Sequence, residues 1–357
     1  MMKKIFSKTV SFSLPSFFSR GLSVATDPSI IRSINKTGKI SRILMTGGNG
    51  QLGTEILPYL YELYGTSNVL VTDNFPTVNP NCKNFEVVNV LDRAKLETVV
   101  KNFKPNCLVH FAAILSASGE RNPKLCLSVN VDGFKNILDV ACDQRIPMFS
   151  PSTIAAFGAS TPKLNTPNTT IMKPSTVYGC TKVLNELLGT YYKTKYGMDF
   201  RSIRYPQVIS CTEAFGGSGD YSIEIFYGAM RNKTYTCYLH ENTKMSFVYV
   251  DDLIEGTLKL LESEPKKLSD VVYNIQSCSF TVKEIYQEIK KHIPEFQMNH
   301  QIDFRQKIVD TWPESLDDSL ARKDWGYSPK FNINELTKIM INLVGEKVKN
   351  ETKKKDK

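Results

Sequence analysis

A glycine-rich turn near the start of the chain constrains its fold more than any other feature. A short apolar segment at 42–45 precedes Gly47, Gly50 and Gly53, and a helix is predicted over 50–64. Glycine permits a tight turn and a close approach of the backbone to a pyrophosphate, whose charge the free N–H groups of a helix N-terminus attract. This pattern predicts a dinucleotide-binding unit. The turn residues expected to contact the dinucleotide are Gly47, Gly48, Asn49, Gly50, Gln51, Leu52 and Gly53.

A carboxylate ends the second predicted strand, which covers 68–73. Asp73 lies twenty residues after Gly53, where an acidic residue binds the ribose hydroxyls of the adenosine half and disfavours a 2′-phosphate. No arginine follows it, because the next residues are Asn74 and Phe75. The sequence therefore predicts NAD rather than NADP as the cofactor.

Up to residue 206 the chain alternates between apolar strands and helices. The predicted strands are 42–45, 68–73, 85–90, 107–113, 148–153 and 200–206, and the predicted helices are 50–64, 92–103, 128–144 and 175–196. Because these strands lack polar alternation, both faces of their sheet are expected to be covered. The pattern predicts an α/β fold with a Rossmann-type, doubly wound parallel sheet. The alternation breaks after 207, which predicts a smaller C-terminal substrate lobe.

The chain is therefore predicted to have several parts with different roles. They are a mitochondrial transit peptide at 1–26, a linker at 27–40, a NAD-binding Rossmann domain at 41–206, a mainly substrate-binding lobe at 207–346 whose late elements pack back on the sheet, and a basic disordered tail at 347–357. Residues 1–26 are rich in Ser, Phe and basic residues and contain no acid, which is typical of transit peptides. This composition predicts a mitochondrial protein.

The net charge of +9 lies mostly at the two ends of the chain. Residues 1–26 and residues 347–357 carry +4 each, which leaves +1 on 27–346. A nucleic-acid-binding protein needs a basic stripe on its folded part, so no nucleic-acid partner is expected. No apolar run is long enough to cross a bilayer, so no membrane association is expected either.

Cysteine and histidine show no spacing typical of metal ligands or of redox motifs. None of the eight cysteines forms a Cys-x-x-Cys pair, and the four histidines, at 110, 240, 292 and 300, are scattered. We expect buried thiols in a reducing compartment and no metal site.

Tyr178 and Lys182 lie one helical turn apart near the start of the predicted helix at 175–196, so their side chains share one face. A free tyrosine, with a pKa of about 10, is a poor base at neutral pH. An adjacent ammonium and a cationic nicotinamide favour the phenolate, which then accepts a hydroxyl proton. Tyr191 and Lys195 repeat the spacing farther along the helix, where we expect a packing or surface role.

Thr153 ends the fifth predicted strand, at the edge where such sheets place their sites. Its hydroxyl is expected to bond the substrate oxygen and orient it against Tyr178. The alternative is a Ser/Thr turn that closes the strand. We predict Tyr178, Lys182 and Thr153 as the catalytic residues.

A family resemblance extends over nearly the whole body of the chain, from about 42 to 326. The similar stretches are TGGNGQLG, HFAAILSASGE, NVDGFKNILDVA, PSTIAAFG, TVYGCTKVLNELLG, DFRSIRYPQVIS, YNIQSCSFT and TWPESLDDSLARKDWGY. Together they resemble the extended short-chain dehydrogenase/reductase family, which is also the NAD-dependent epimerase/dehydratase family. Within it, ILSASGE and DDSLARKDWG are similar to the branch of L-threonine 3-dehydrogenases.

This resemblance implies oxidation of L-threonine at its secondary hydroxyl to 2-amino-3-oxobutanoate, with formation of NADH, in threonine catabolism towards glycine. It implies adenine contacts from Asn89 and Val90, nicotinamide contacts from Ala112, Ala113 and Val208, and substrate contacts from Ser116, Ser152, Thr153, Tyr178 and Ser218. It also implies a homodimer, a location in the mitochondrial matrix, and metabolic coupling to a 2-amino-3-oxobutanoate CoA ligase.

The chain departs from the family pattern near the implied substrate site. Gln207 stands where the family usually has Gly, and Asn89 stands where Asp is frequent. The loop at 217–221, GSGDY, has fewer threonines than usual. We expect Gln207 to crowd the nicotinamide region, and a hydroxyl contact from this loop to come from Ser218 or to be missing.

Two other functions remain open from the sequence. A nucleotide-sugar epimerase could use the same scaffold, but it would retain NAD, whereas a dehydrogenase releases NADH in each turnover. A sugar dehydratase is disfavoured because Ile154 and Ala155 stand where that chemistry needs an Asp-Glu pair. A non-catalytic NAD-sensing module would be expected to lose Tyr178 or Lys182, and this chain keeps both.

Overall fold

The structure is a computed structural model that describes residues 26–77, 79–213 and 216–355. The predicted transit peptide at 1–26 lies outside the described residues except for Thr26. The strands are β1 Ile43–Thr46, β2 Val69–Asp73, β3 Phe85–Val87, β4 Cys107–His110, β5 Met148–Phe149, β6 Ser152–Thr153, β7 Phe200–Tyr205, β8 Gln207–Ile209, β9 Thr234–Cys237, β10 Lys244–Tyr249, β11 Val272–Asn274, β12 Cys278–Thr281 and β13 Gln297–His300.

Helices cover much of the remaining chain. They are α1 Pro28–Ser33, α2 Gln51–Tyr64, α3 Arg93–Phe103, α4 Ser116–Arg121, α5 Pro123–Leu127, α6 Phe134–Asp143, α7 Val177–Tyr196, α8 Tyr221–Arg231, α9 Val250–Glu262, α10 Val282–His292, α11 Arg305–Val309, α12 Ser319–Trp325 and α13 Ile333–Lys355. A π-helical segment, Ser128–Gly133, joins α5 to α6.

The main sheet is parallel, with the strand order β11-β7-β5-β4-β1-β2-β3 and β6 paired beside β7. Strand β1 is buried on both faces. Ile43 and Met45 belong to one hydrophobic core, and Leu44 belongs to the other. Successive side chains of a strand point to opposite faces, so helices must cover both faces of the sheet. The predicted Rossmann-type doubly wound sheet is confirmed.

The chain after β7 builds smaller sheets beside the main one. Strand β8 pairs with β10, β10 pairs with β12, and β9 pairs with β13. Strand β11 returns to the edge of the main sheet, where it pairs with β7. The described residues contain no helix long and apolar enough to span a bilayer.

The predicted linker at 27–40 contains helix α1. Asp27 caps the helix by accepting a hydrogen bond from the Ser29 backbone N–H at 2.7 Å, and Pro28 occupies the first helical position. Ile30, at 1% exposure, and Ile34 are buried in the core. The burial of these two isoleucines therefore fixes the segment to the body.

The segment predicted as a disordered tail is helical up to Lys355, where helix α13 ends. Lys347 donates to the backbone carbonyl of Cys211 at 2.7 Å, and Glu351 forms an ion pair with Arg231 at 2.9 Å. These two contacts join the last turns of α13 to the body.

Candidate active site

The glycine turn joins β1 to α2, and its shape leaves no room for side chains. Gly47 has a positive φ of 75°, and a Cβ there would lie 2.7 Å from the Cα of Ala112. A Cβ at Gly53 would lie 2.6 Å from the Cα of Gly48. Helix α2 begins at Gln51, and its N-cap residue Gly50 provides no side-chain cap, so the first N–H groups of the helix remain available to an anion. The turn fits the pyrophosphate of a dinucleotide.

Asp73 lies at the end of β2, directly beside this turn. Its carboxylate accepts hydrogen bonds from the backbone N–H of Asn49 at 2.9 Å and of Asn74 at 2.8 Å. Burial raises its pKa, and these two hydrogen bonds oppose the shift. Each carboxylate oxygen can accept a second hydrogen bond, so both can also bind ribose hydroxyls. Asp73 is therefore placed where it could bind the adenosine ribose, as predicted for it.

The residues predicted to contact adenine and nicotinamide are placed less uniformly. Asn89 is exposed and its side-chain oxygen accepts from the Leu91 N–H at 3.0 Å. Val90 is buried against Gly133 of the π-helical segment. Asn89 thus shapes the turn after β3, and its predicted adenine contact remains a prediction. Ala112, Ala113 and Val208 are all partly exposed.

Tyr178 and Lys182 lie at the N-terminal end of α7, above the carboxyl end of β6. Thr176 caps the helix by accepting from the Gly179 N–H at 3.1 Å. A Cβ at Gly179 would collide with the carbonyl oxygen of Ala155, so this glycine allows α7 to approach the chain that follows Thr153. Tyr178 and Lys182 are both buried, with exposures of 8% and 4%.

The structure brings the three predicted catalytic residues together. Lys182 donates to the backbone carbonyl of Pro151 at 2.8 Å, and its Nζ lies 5.8 Å from the centre of the Tyr178 ring. The Thr153 side chain is close enough to lower the pKa of Tyr178 through a hydrogen bond. Thr153 also accepts from the Ala155 N–H at 3.2 Å, which is the Ser/Thr turn that the sequence left open. The Thr153 side chain thus closes a local turn and also lies beside Tyr178.

Burial controls the proton affinities of this group. It raises the pKa of Tyr178 above its ordinary value, against the effect of Thr153, and it lowers the pKa of Lys182 to about 8, against the attraction of Glu186. Both groups are therefore held in a desolvated environment, in which a charge on one strongly affects the other.

Ser116 and Ser218 meet, although they are 102 residues apart. Their hydroxyl oxygens lie 2.9 Å apart, and the Ser218 N–H donates to Ser116 at 3.0 Å. The Ala117 N–H donates to the Gly216 carbonyl at 3.0 Å, which further holds the loop against α4. Two predicted substrate ligands thus form one pair of hydroxyls.

Ser152 is placed differently from the prediction that it binds substrate. Its hydroxyl is buried and donates to Glu186 of α7. Adjacent residues of a strand point to opposite faces, so Thr153 and Ser152 cannot serve the same side of β6. The structure assigns the Ser152 hydroxyl to an internal network.

Gln207 crowds a neighbouring loop of the chain. A Cβ at Gly219 would lie 2.6 Å from the side-chain carbon Cδ of Gln207, so this side chain occupies the space beside Gly219. Gln207 also lowers the pKa of buried Asp220, which desolvation raises to about 6. The bulk of Gln207 is thus accommodated by a glycine; its effect on the nicotinamide remains a prediction.

Sequence reasoning missed two charged residues beneath the site, Glu186 and Arg204. Both are buried, and Arg204 donates twice to Glu186, at 2.9 and 2.8 Å. The available signal was the spacing of Tyr178, Lys182 and Glu186, which places all three on one face of α7. The described residues contain no cluster of His, Cys, Asp and Glu that could hold a metal. All eight cysteines are free; Cys180 is exposed, contrary to the expectation of buried thiols.

Comparison with known proteins places the chain in a family. The profile of the NAD dependent epimerase/dehydratase family matches residues 43–275, and the chain belongs to that family, as predicted. The family confirms NAD as the cofactor.

Individual relatives are similar over most of their length. The mitochondrial L-threonine 3-dehydrogenase of Bos taurus is 41% identical over 85% of this chain and 83% of that protein. An uncharacterized epimerase/dehydratase of Staphylococcus haemolyticus is 42% identical over 87% of this chain and 100% of its own. The crystal structure of L-threonine dehydrogenase from Phytophthora infestans superposes with a TM-score of 0.83 and 45% identity, over 86% of this chain and 100% of that one.

Proposed function

We propose that this chain is a NAD-dependent dehydrogenase that oxidises the secondary hydroxyl of L-threonine to 2-amino-3-oxobutanoate. The observation that carries the proposal is the meeting of Tyr178, Lys182 and Thr153 at the sheet edge beside the glycine turn. It is supported by the relatives from Bos taurus and Phytophthora infestans, which are threonine dehydrogenases by name.

The residues of the site have distinct roles in this reaction. Thr153 holds the substrate hydroxyl against Tyr178, and the phenolate of Tyr178 takes its proton. Lys182, as an ammonium, stabilises that phenolate and bonds the cofactor ribose. Bound NAD supplies the acceptor for the hydride that leaves the same carbon. The paired hydroxyls of Ser116 and Ser218 offer hydrogen bonds to the amino-acid head of the substrate.

A spectrophotometric assay tests the proposal directly. Appearance of NADH is measured with L-threonine and compared with L-serine, 3-hydroxybutyrate and UDP-glucose. We expect turnover with L-threonine and at most weak turnover with the others. Conversion of UDP-glucose without any signal from threonine would instead identify a nucleotide-sugar epimerase and overturn the proposal.

The second part of the proposal concerns the oligomeric state. We propose a homodimer formed through α5 and α7. These neighbouring helices carry a stripe of exposed apolar side chains: Leu184 at 38%, Leu187 at 59%, Tyr191 at 52% and Leu127 at 47% exposure. Exposed apolar side chains grouped on neighbouring helices are typical of an interface. Leu187→Asp should yield a monomer by sedimentation velocity, whereas Leu164→Asp, on another surface, should not. A monomeric wild type would contradict the dimer.

The cellular setting is the last part. A mitochondrial matrix location is supported by the composition of residues 1–26 and by the mitochondrial relative. A mature protein from mitochondria that still begins at Met1, or a cytosolic full-length protein, would contradict it. A 2-amino-3-oxobutanoate CoA ligase is the proposed consumer of the product on the route to glycine, and threonine-dependent glycine formation with and without that ligase tests the coupling.

A further inference from the structure

Helix α7 is fastened to three consecutive residues at the end of β6. Lys182 bonds to the Pro151 carbonyl, Glu186 accepts from the Ser152 hydroxyl, and Tyr178 lies against the Thr153 side chain. The three α7 residues are each one helical turn apart, so they meet the short strand segment as one row. The position of Thr153 relative to Tyr178 is thus set by the same helix that carries the tyrosine.

Glu186 is the most firmly held member of this row. Arg204 of β7 donates to both of its carboxylate oxygens, in a bidentate ion pair with side-chain exposures of 6% and 4%. Arg204 is itself fixed by the carbonyl of Asn168 at 2.6 Å and by the side-chain oxygen of Asn274 at 3.1 Å. A buried bidentate pair of this kind fixes geometry as well as charge.

We propose that Glu186 is a positioning residue for the reaction: through Ser152 it holds Thr153 in place, and through its charge it keeps Lys182 protonated. This inference rests on the proposed function, because it assigns Tyr178, Lys182 and Thr153 to the oxidation. Glu186 is buried beneath these residues and acts through them.

The surroundings of Lys182 explain why one carboxylate matters. The groups that face it are Tyr178 and Glu186 from α7, Cys126 from α5 and His110 from β4, with Arg204 of β7 behind Glu186. Burial lowers the pKa of His110 to about 3, so it is neutral, and burial raises the pKa of Cys126 to about 11, so it is a neutral thiol. Glu186 is therefore the anion that opposes the desolvation of Lys182.

The decisive experiment compares the pH dependence of kcat in wild type, Glu186→Gln and Ser152→Ala. In Glu186→Gln, Lys182 loses its anion and faces an uncompensated Arg204, so its pKa falls further. Because the ammonium is the active form, the basic limb of the profile should move to lower pH by about one unit or more. Ser152→Ala keeps the charges, so its limb should stay while kcat falls by about tenfold from misplacement of Thr153.

Two more variants keep the test valid if Glu186→Gln folds poorly. Glu186→Asp keeps the carboxylate and should return the basic limb towards wild type. Glu186→Gln/Arg204→Gln removes both buried charges and should still move the limb to lower pH. Melting temperature and NAD binding monitor folding in every variant. A wild-type profile and wild-type kcat in folded Glu186→Gln would overturn the inference.

A substrate-free measurement separates this inference from the proposed function. Carbon-13 NMR of lysine Cε, with Lys182→Arg to assign the signal, gives the charge of Lys182 against pH without turnover. A lower pKa in Glu186→Gln would support the charge effect even if wild type failed to oxidise threonine. An unchanged lysine titration would contradict it even if threonine were oxidised.

Discussion

The two ends of helix α7 carry the same sequence pattern in opposite environments. At the N-terminal end, Tyr178 and Lys182 are buried, whereas at the C-terminal end Tyr191 is 52% exposed and Lys195 is exposed. Both pairs have the same spacing on the same helix, so spacing by itself places two side chains on one face and says nothing about their chemistry. The difference shows that depth in the fold determines which pair can form a site.

The contacts of the two pairs give the physical reason. Lys182 bonds to the Pro151 carbonyl at the carboxyl edge of the sheet. Tyr191 instead packs its ring edge-on against Tyr192 and Tyr196, each with a centroid distance of 6.1 Å. The exposed phenol of Tyr191 is surrounded by water, which screens its interaction with a nearby ammonium. The buried pair is the one that we propose to act on the substrate.

The largest expected effect is the loss of the buried phenol. Tyr178→Phe removes the proton acceptor, and kcat with L-threonine should fall by about 1,000-fold or more, while NAD affinity measured by calorimetry stays near wild type. Tyr191→Phe is the matched control and should leave kcat within about twofold. Near-wild-type turnover in Tyr178→Phe would show that the two tyrosines are equivalent and that the comparison has no functional meaning.

The second effect concerns the two lysines and pH. Burial lowers the pKa of Lys182 to about 8, so the ammonium is present below that pH and is lost as pH rises through it. If the ammonium supports the reaction, kcat should decline above about pH 8 in wild type. Lys182→Met should lower kcat at every pH by about 100-fold, whereas Lys195→Met should keep both rate and profile. A pH profile that Lys195→Met changes and Lys182→Met does not would reverse the assignment.

The sequence predicted the parts of the fold that depend on local pattern. Apolar runs without polar alternation indicated the buried parallel sheet, and the glycine spacing indicated the turn before α2. The sequence did not predict which of two adjacent hydroxyls serves the site: Ser152 and Thr153 point to opposite sides of β6, and only the fold shows which side faces Tyr178. Helix α1 and the end of α13 were also not predicted as helices, because both depend on contacts with residues distant in sequence.

The candidate site divides in the same way. Tyr178, Lys182 and the glycine turn belong to local motifs and could be predicted. Glu186 shares the helical spacing of Tyr178 and Lys182, but its pairing with Arg204 could not be predicted, because no motif joins a helix residue to a residue of the following strand. The hydroxyl pair of Ser116 and Ser218 was found through resemblance rather than through any local rule.

A smaller effect concerns the two glycines near the ends of α7, one in its first turn and one directly after its last residue. A Cβ at Gly179 would lie 2.6 Å from the Cβ of Pro174 and closer still to the Ala155 carbonyl, so Gly179→Ala should push the helix away from Thr153. We expect about 2 kcal/mol of destabilisation by urea unfolding and about a tenfold loss of kcat. Gly197 has φ of 69° and open space around it, so Gly197→Ala should cost about 1 kcal/mol and leave kcat unchanged. Equal kcat losses in both would contradict a specific close approach at the buried end.

The smallest effect concerns the cap of α7 beside the site. The Thr176 hydroxyl accepts from the Gly179 N–H at 3.1 Å, and Thr176→Ala should destabilise the protein by about 1 kcal/mol. Because the cap fixes the first turn, which carries Tyr178, kcat should fall about twofold to threefold in the same variant, whereas Thr176→Ser should restore both quantities. Thr194→Ala, at the exposed end, removes a hydroxyl that bonds only to the carbonyl of Thr190 and should change neither. If Thr176→Ala lowered stability but left kcat at the wild-type value, the buried pair would be held by its burial and by the contacts of Lys182, and not by the start of its helix.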